Sequence, residues 1–346
     1  STLLVDVGDV FTRGALTNAY EGLADIAAMN ATGYQLAAIG NNEFKARDGV
    51  DAADWAGSQK ALLKVVRASR FPWLCANLAD SSGKPPQGIR PTAVMKVGGL
   101  RVGFVGLTAP RSASYPQTRG WKITDPIAAA KVWVPKLRQQ CDVVVALTHV
   151  GVILDHSLAA TVDGIDAIVG GDSHTFLYRP LWVRSPSGRR VPIAQDGEYG
   201  VNVGKLELKF VRGNDGYRLS EARGELVPVS ADIPEAADVR RALEPYVRPF
   251  MSKIGRLDKV GATPEERRQV TTRVVVEAIR KATGAEMALN PAGQGLIDVF
   301  HHADVTRYDL YQAMPFHNVA VTVQLTGAEI EQILARHPST VTSGMP

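Results

Sequence analysis

At 346 residues, 45% hydrophobic and 21% charged, the chain has the make-up of a soluble globular protein of about two domains. Its net charge of +4 is a mild excess, and Arg240-Arg241 and Arg267-Arg268 carry no interleaved aromatic residues, so no nucleic-acid partner is expected. No stretch approaches the ~18 consecutive apolar residues of a helical membrane span.

In chain order, four apolar runs each end in a short cluster of polar residues suited to metal ligation. Leu3 to Val5 leads through Asp6 and Val7 into Gly8-Asp9, and Tyr34 to Ile39 leads into Gly40-Asn41-Asn42-Glu43. Val143 to Leu147 leads into Thr148-His149-Val150-Gly151, and Ile165 to Val169 into Gly170-Gly171-Asp172-Ser173-His174. Short Val-, Ile- and Leu-rich runs bounded by glycine predict buried strands. In open α/β sheets, ligands bind in the crevice beyond the carboxyl ends of such strands. Asp, Asn and His delivered there suit Mn, Zn, Fe or Mg. Alone, an Asp after a strand is usually a helix cap and a single His a satisfied polar residue; four clusters in register favour a metal-dependent enzyme or the descendant of one.

Between these runs, helical spacing predicts helices over 18–30 and 126–137, the second with an internal proline. Leu100 to Leu107 alternates as a further strand, and residues 181–211 predict hairpins turning at Ser185-Pro186-Ser187-Gly188. Cys75 and Cys141 have no metal-type spacing and are expected in or near the core as small hydrophobes. The chain changes character near residue 230. The first unit, 1–230, predicts a layered α/β domain. A proline-bounded, surface-lying linker helix is expected within 231–256, from about Glu235 to Ile254. A smaller α/β unit, 257–346, is expected to hold a helix around Val274 to Lys281, strands near Met287–Leu289 and Val319–Leu325, and a last helix from Gly327 to Arg336.

Val7-Gly8-Asp9-Val10-Phe11, Gly40-Asn41-Asn42-Glu43-Phe44, Ala76-Asn77-Leu78, Leu147-Thr148-His149-Val150-Gly151, Gly170-Gly171-Asp172-Ser173-His174-Thr175 and Gln195-Asp196-Gly197-Glu198-Tyr199-Gly200 carry a further signal. In order and spacing they resemble the 5'-nucleotidase and UDP-sugar hydrolase family of calcineurin-like metallophosphoesterases. Asn290-Pro291-Ala292-Gly293, Met314-Pro315-Phe316-His317-Asn318, Leu325-Thr326-Gly327-Ala328-Glu329 and Ser343-Gly344-Met345 are similar to segments of its C-terminal substrate-binding domain. The resemblance covers nearly the whole chain. It implies a layered β-sandwich metallophosphoesterase domain flanked by helices, then a linker helix and a smaller α/β substrate-binding domain.

The resemblance further implies two divalent metal ions (Mn, Zn, Fe or Mg), bridged by Asp9. Asn41, His149 and Asp172 would serve one ion and His174 the other. Two such ions support in-line displacement at phosphorus by a bridging hydroxide. The implied activity is hydrolysis of a phosphate monoester, as in nucleotide catabolism, with a small phosphate ester or nucleotide as partner. Asn290, Gly293 and Phe316 would contact the substrate, and relatives of this kind are usually periplasmic or secreted.

Departures from the family pattern raise an alternative. The family's opening Asp-x-His is not among these residues, which start on what resembles its second strand. Asn42 stands where the family has a transition-state His, and Lys45 where it usually has Asp. Asn42 is left as the catalytic candidate, able to donate a hydrogen bond to an oxyanion but not to transfer a proton near neutral pH. Asp172 replaces a His ligand, a change a hard ion tolerates. Gly295 and Pro291 replace a phosphate-clamping Arg and a loop glycine. Arg267, Arg268 and Arg273 are more simply surface helix residues than substitutes for that clamp. The family's base-stacking aromatic segment past Met345 is not present, so the second domain is expected to be truncated. The alternative is a catalytically impaired relative kept as a binding module.

Overall fold

The computed structural model describes residues 1–11, 14–45, 54–214, 216–290, 295–296, 298–314 and 319–344. The chain packs as two units, the first running to Leu243 and the second taking Glu244 onward together with the helix Ala15–Tyr20.

From its start the chain runs through β1 (Val5–Asp6), α1 (Ala15–Tyr20) and α2 (Leu23–Thr32). Spacing predicts one helix over 18–30. Glu21 and Gly22, at φ 52° and 83°, divide it in two, because a right-handed helix does not run through positive φ. Next come β2 (Leu36–Ala38), α3 (Trp55–Ala68), β3 (Trp73–Leu74), β4 (Leu78–Ala79) and β5 (Ile89–Arg90). Strands β1, β2, β3 and β5 form a parallel sheet in that order.

A second sheet begins with the hairpin β6 (Thr92–Val97) and β7 (Leu100–Thr108). After β8 (Lys122–Ile123), which pairs with β4, the chain alternates through α4 (Pro126–Arg138), β9 (Val143–His149), α5 (Val152–Thr161) and β10 (Ala167–Gly170). The hairpin β11 (Leu181–Arg184) and β12 (Arg190–Ala194) completes the order β11-β12-β10-β9-β7-β6. Its four inner strands are parallel, and β6 and β11 are antiparallel edges. A long hairpin, β13 (Asn202–Gly213) with β14 (Gly216–Pro228), follows.

Successive strand side chains point to opposite faces, and here both faces are buried. Leu36, Ala38 and Leu74 meet Val102, Phe104, Val143, Val145 and Leu147 in a core between the two sheets. On the outer face of the first sheet, Ala37, Ile39 and Trp73 pack with Ile26, Leu62 and Val65 of α2 and α3. On the outer face of the second, Val105, Leu107, Val144 and Ala146 pack with Val134, Leu137 and Leu158 of α4 and α5. The result is a helix–sheet–sheet–helix layering, the sandwich the resemblance implies. Cys75 and Cys141 are both buried and unbridged.

The linker helix is shorter than its expected span to Ile254. Helix α6 (Ala237–Val247) gives way to a 3-10 turn at Arg248–Met251 and then to β15 (Lys253–Arg256). Pro245 lies inside α6, and Pro249, which lacks an N–H for the ladder and crowds the preceding turn, falls in the 3-10 turn where the helix stops. In the second unit, α7 (Pro264–Thr283) starts at a capping box, with Thr263 accepting from the Glu266 amide. Strand β16 (Ala288–Asn290) pairs with a strand near the end of the chain, and β15 pairs with β17 (Asp304–Thr306). Helices α8 (Arg307–Ala313) and α9 (Gly327–Arg336) and strand β18 (Val341–Ser343), the partner of β16, complete the unit. Val275, Leu296, Phe300, Val305 and Ala313 are its small core.

The expected strand from Val319 to Leu325 does not form among the described residues. Val319, Val321 and Val323 alternate as a strand should, yet they are 71%, 76% and 67% exposed and join no ladder. Alternation records which face needs cover; a ladder also needs a neighbour to take the N–H and C=O groups. Among the described residues no helix is long and apolar enough to cross a membrane.

Candidate functional site

The parallel strands of both sheets stop at one edge, and polar side chains gather just past it. Asp9 follows β1, Asn41 follows β2, Arg111 follows β7, His149 ends β9, and Asp172 follows β10. Asp9 and Asp172 sit at positive φ, 65° and 82°, a conformation that costs a non-glycine residue energy.

Glu43, fully buried, ties the first two loops together. Its Oε2 accepts the amides of Gly40 (2.6 Å) and Asp9 (2.9 Å), and its Oε1 accepts the amide of Phe11 (3.2 Å). Burial, with the Asp9 carboxylate adding to it, pushes its carboxyl up to about 7. The loops meet so closely that a Cβ on Gly40 would lie 2.4 Å from the Asp9 amide nitrogen. Asn42 closes the join: its amide donates to Asp9 Oδ1 (2.7 Å) and its Nδ2 to Asp9 Oδ2 (3.0 Å). Burial disfavours the Asp9 carboxylate, but His149, the Asn42 amide and Arg111 outweigh it and hold the carboxyl below its ordinary range.

His149 is 3% exposed, and its Nδ1 lies 2.9 Å from the Val7 carbonyl oxygen. Its Nε2 faces Asp9 Oδ2 at 3.1 Å and Asp172 Oδ1 at 3.5 Å, yet is aligned for a hydrogen bond with neither. Burial opposes its charged form; the carboxylates of Asp9, Glu43 and Asp172 more than offset this and push it up to about 9. Near neutral pH the ring therefore carries a proton on Nε2 between the two carboxylates; with that proton gone and Nδ1–H donated to the Val7 carbonyl, Nε2 would be free to ligate, the arrangement of a metal-binding imidazole.

Asp172 is covered by Arg111. Nη1 donates to Asp172 Oδ2 at 2.7 Å, and Nη2 donates to Asp172 Oδ1 and to Asn41 Oδ1, the latter at 2.7 Å. Asn77 braces the end of β7, the strand that leads into the Arg111 turn, its Oδ1 accepting the Thr108 amide (2.9 Å) and its Nδ2 donating to the Thr108 and Thr124 carbonyls (3.0 Å each). Behind the site, buried Asp155 accepts the Thr148 hydroxyl at 2.6 Å. Gln195 holds the β10 loop through Gly171, Ser173 and Thr175.

Five predicted residues thus stand together: Asp9, Asn41, Asn42, His149 and Asp172. His174, also at positive φ (54°), is half exposed and pairs through Nδ1 with Glu198 Oε2 at 2.5 Å. Asn290 ends β16 in the second unit, partly buried; Gly293 and Phe316 lie outside the described residues. Arg267 turns its Nη1 to the carbonyls of Gly261 and Ala262. Sequence reasoning missed Arg111, although it too follows a buried strand, because a Pro-Arg pair does not read as a ligand cluster. It quoted Glu43 and Asn77 only as motif residues.

In chemistry, though not in the placement of the side chains, the donor set suits a divalent ion. Asp9 Oδ2, Asn41 Oδ1, His149 Nε2 and an Asp172 oxygen are oxygen and imidazole donors of the kind Mn, Zn or Fe takes. As found, however, Arg111 holds Asp172. Among the described residues no group of three or more His, Cys, Asp and Glu is placed so that it could hold a metal ion.

Residues 253–345 match the family model for the 5'-nucleotidase C-terminal domain. Among curated proteins, the chain is 27% identical to the trifunctional nucleotide phosphoesterase protein of Bacillus subtilis strain 168, over 99% of the chain and 26% of that protein. It is 32% identical to the 5'-nucleotidase of Mus musculus, over 69% of the chain and 42% of that protein. The chain thus spans about a quarter to two fifths of the length of these curated relatives. Among solved structures, that of a 5'-nucleotidase precursor from Thermus thermophilus superposes with a TM-score of 0.69 at 29% identity, covering 99% of this chain and 72% of that one. On these likenesses, reaching from the sandwich through the C-terminal domain, the chain belongs to the 5'-nucleotidase family of phosphoesterases.

Proposed function

We propose that the chain is a 5'-nucleotidase-like phosphomonoesterase that depends on a divalent ion held by Asp9, Asn41, His149 and Asp172. The observation that carries this is the buried, unbonded Nε2 of His149 between two carboxylates. When bound, the ion supplies Lewis-acid polarisation of a phosphoryl oxygen and a water of lowered pKa. The chain's own residues do the rest. Glu43 and Asn77 fix the loops, so that the donors are positioned before substrate arrives. Asn42 offers an amide donor to charge developing on the phosphoryl oxygens, and the leaving group takes its proton from water, because an amide does not titrate.

A second ion would draw on Asp9 and His174, whose Nδ1 contact with Glu198 is the carboxylate support a ligating imidazole commonly has. Asn290, Gly293 and Phe316 are proposed to contact the nucleotide, and export is proposed from the Thermus relative, which is named a precursor. Phosphate release from 5'-AMP with Mn tests the reading. Asp9→Ala is expected to fall to background; wild-type turnover in that variant would sink it.

Asn42 favours a second reading. The residue at the expected proton-transfer position is spent on Asp9, which suits a relative that binds a nucleotide without hydrolysing it. In that case nucleotide binding persists while no divalent ion restores phosphate release. A single reproducible metal-dependent turnover ends that reading.

A further inference from the structure

Arg111 places a cation where the ion-ligand candidates converge. Its guanidinium donates to both carboxylate oxygens of Asp172 and to the side-chain Oδ1 of Asn41. Those are the lone pairs a divalent ion would occupy at about 2.0–2.2 Å. Asp172 Oδ1 is 3.5 Å from His149 Nε2, itself 3.1 Å from Asp9 Oδ2, and Asn41 Oδ1 is tied to Asp172 through the same guanidinium group. Guanidinium hydrogens and an ion cannot share these lone pairs, and two cations at this distance repel strongly.

The arm is built to move at its tip alone. The Arg111 side chain is 51% exposed, against 8% for Asp172. Its backbone is held in the 3-10 turn Pro110–Ser114, where the Ser114 hydroxyl donates to the Arg111 carbonyl at 2.8 Å. Without the guanidinium group, Asp172 would be a buried carboxylate near that of Asp9 with His149 alone to offset the pair, a costly arrangement.

We propose that Arg111 is an intramolecular competitor of the divalent ion: its guanidinium closes the site in the ion-free protein and swings outward when an ion binds. This rests on the assignment of Asp9, Asn41, His149 and Asp172 as ion ligands. Its consequence is a threshold. The site loads only when the free ion concentration is high enough to displace a bidentate arginine, so the same fold would be open or closed according to its compartment.

The test is calorimetric titration of MnCl2 into the chelator-stripped chain, wild type and Arg111→Gln, with thermal melting of each protein with and without Mn. Arg111→Gln is expected to bind Mn more tightly, by on the order of ten- to a hundredfold, since a charge-assisted bidentate contact no longer has to break. Ion-free, it should melt below wild type, and Mn should raise its midpoint by more. Arg111→Lys, which keeps the charge but loses the fork, should fall between and carries the test if the Gln variant fails to fold. Equal or weaker Mn binding in the variants, with clear binding in wild type, would overturn the competition while leaving the ion site standing. No Mn binding in any of the proteins would remove the ion site itself, and the competition with it.

Discussion

The two halves of the site are built on different physics. The inner half, Asp9, Asn42, Glu43 and His149, is held by backbone groups: three amides on Glu43, the Asn42 amide on Asp9, and the Val7 carbonyl on His149. The outer half, Arg111, Asp172, His174 and Glu198, is held by ion pairs between side chains, two of them half exposed. Backbone-anchored groups move only if the loops do. Long side chains on solvent move at the cost of a rotamer. The inner half is therefore fixed by the backbone, and the outer half is the part that side-chain rotation can rearrange.

The largest test of this contrast is Glu43→Ala. It strands three amides in a dry interior and should cost about 3 kcal/mol of stability, read as a lowered denaturant midpoint. A loss below 1 kcal/mol, on the order of an ordinary surface change, would show that the inner half is not held as described.

Asp155, behind both halves, gives a pH signature. Burial pushes its carboxyl up to about 7, against the opposing hydroxyl of Thr148. A raised folded pKa means that the folded state keeps the proton longer, so stability declines as pH rises from the ordinary carboxyl value of 3.8 through about 7. Asp155→Asn should flatten that part of the profile of the ion-free protein. An unchanged slope would mean that Asp155 is charged in both states.

The smallest effect belongs to the outermost residue. His174→Ala breaks a half-exposed pair and should change stability by about 0.5 kcal/mol or less. A loss several times larger would place His174 with the inner half.

The layered sandwich was legible because both sheets are buried on both faces, and Val-, Ile- and Leu-rich runs bounded by glycine have few other uses. The inner polar cluster was legible for the same reason: polar residues directly after such a run must lie at the sheet edge. The helix break at Glu21-Gly22 was harder to see, since apolar spacing continues across it. The last apolar stretch, 319–325, misled because alternation says nothing about whether a neighbour exists.

Local sequence alone determined the buried strands of the two sheets that lead into the site and that Asp9, Asn41, His149 and Asp172 stand at their ends, because burial pattern and loop chemistry are written in adjacent residues. Only the tertiary structure decided that Glu43 is the clamp between two loops and that Arg111 covers Asp172. These contacts join residues 34 and 61 positions apart. Whether a side chain is a ligand, a lock or a spectator depends on what the folded chain brings to face it.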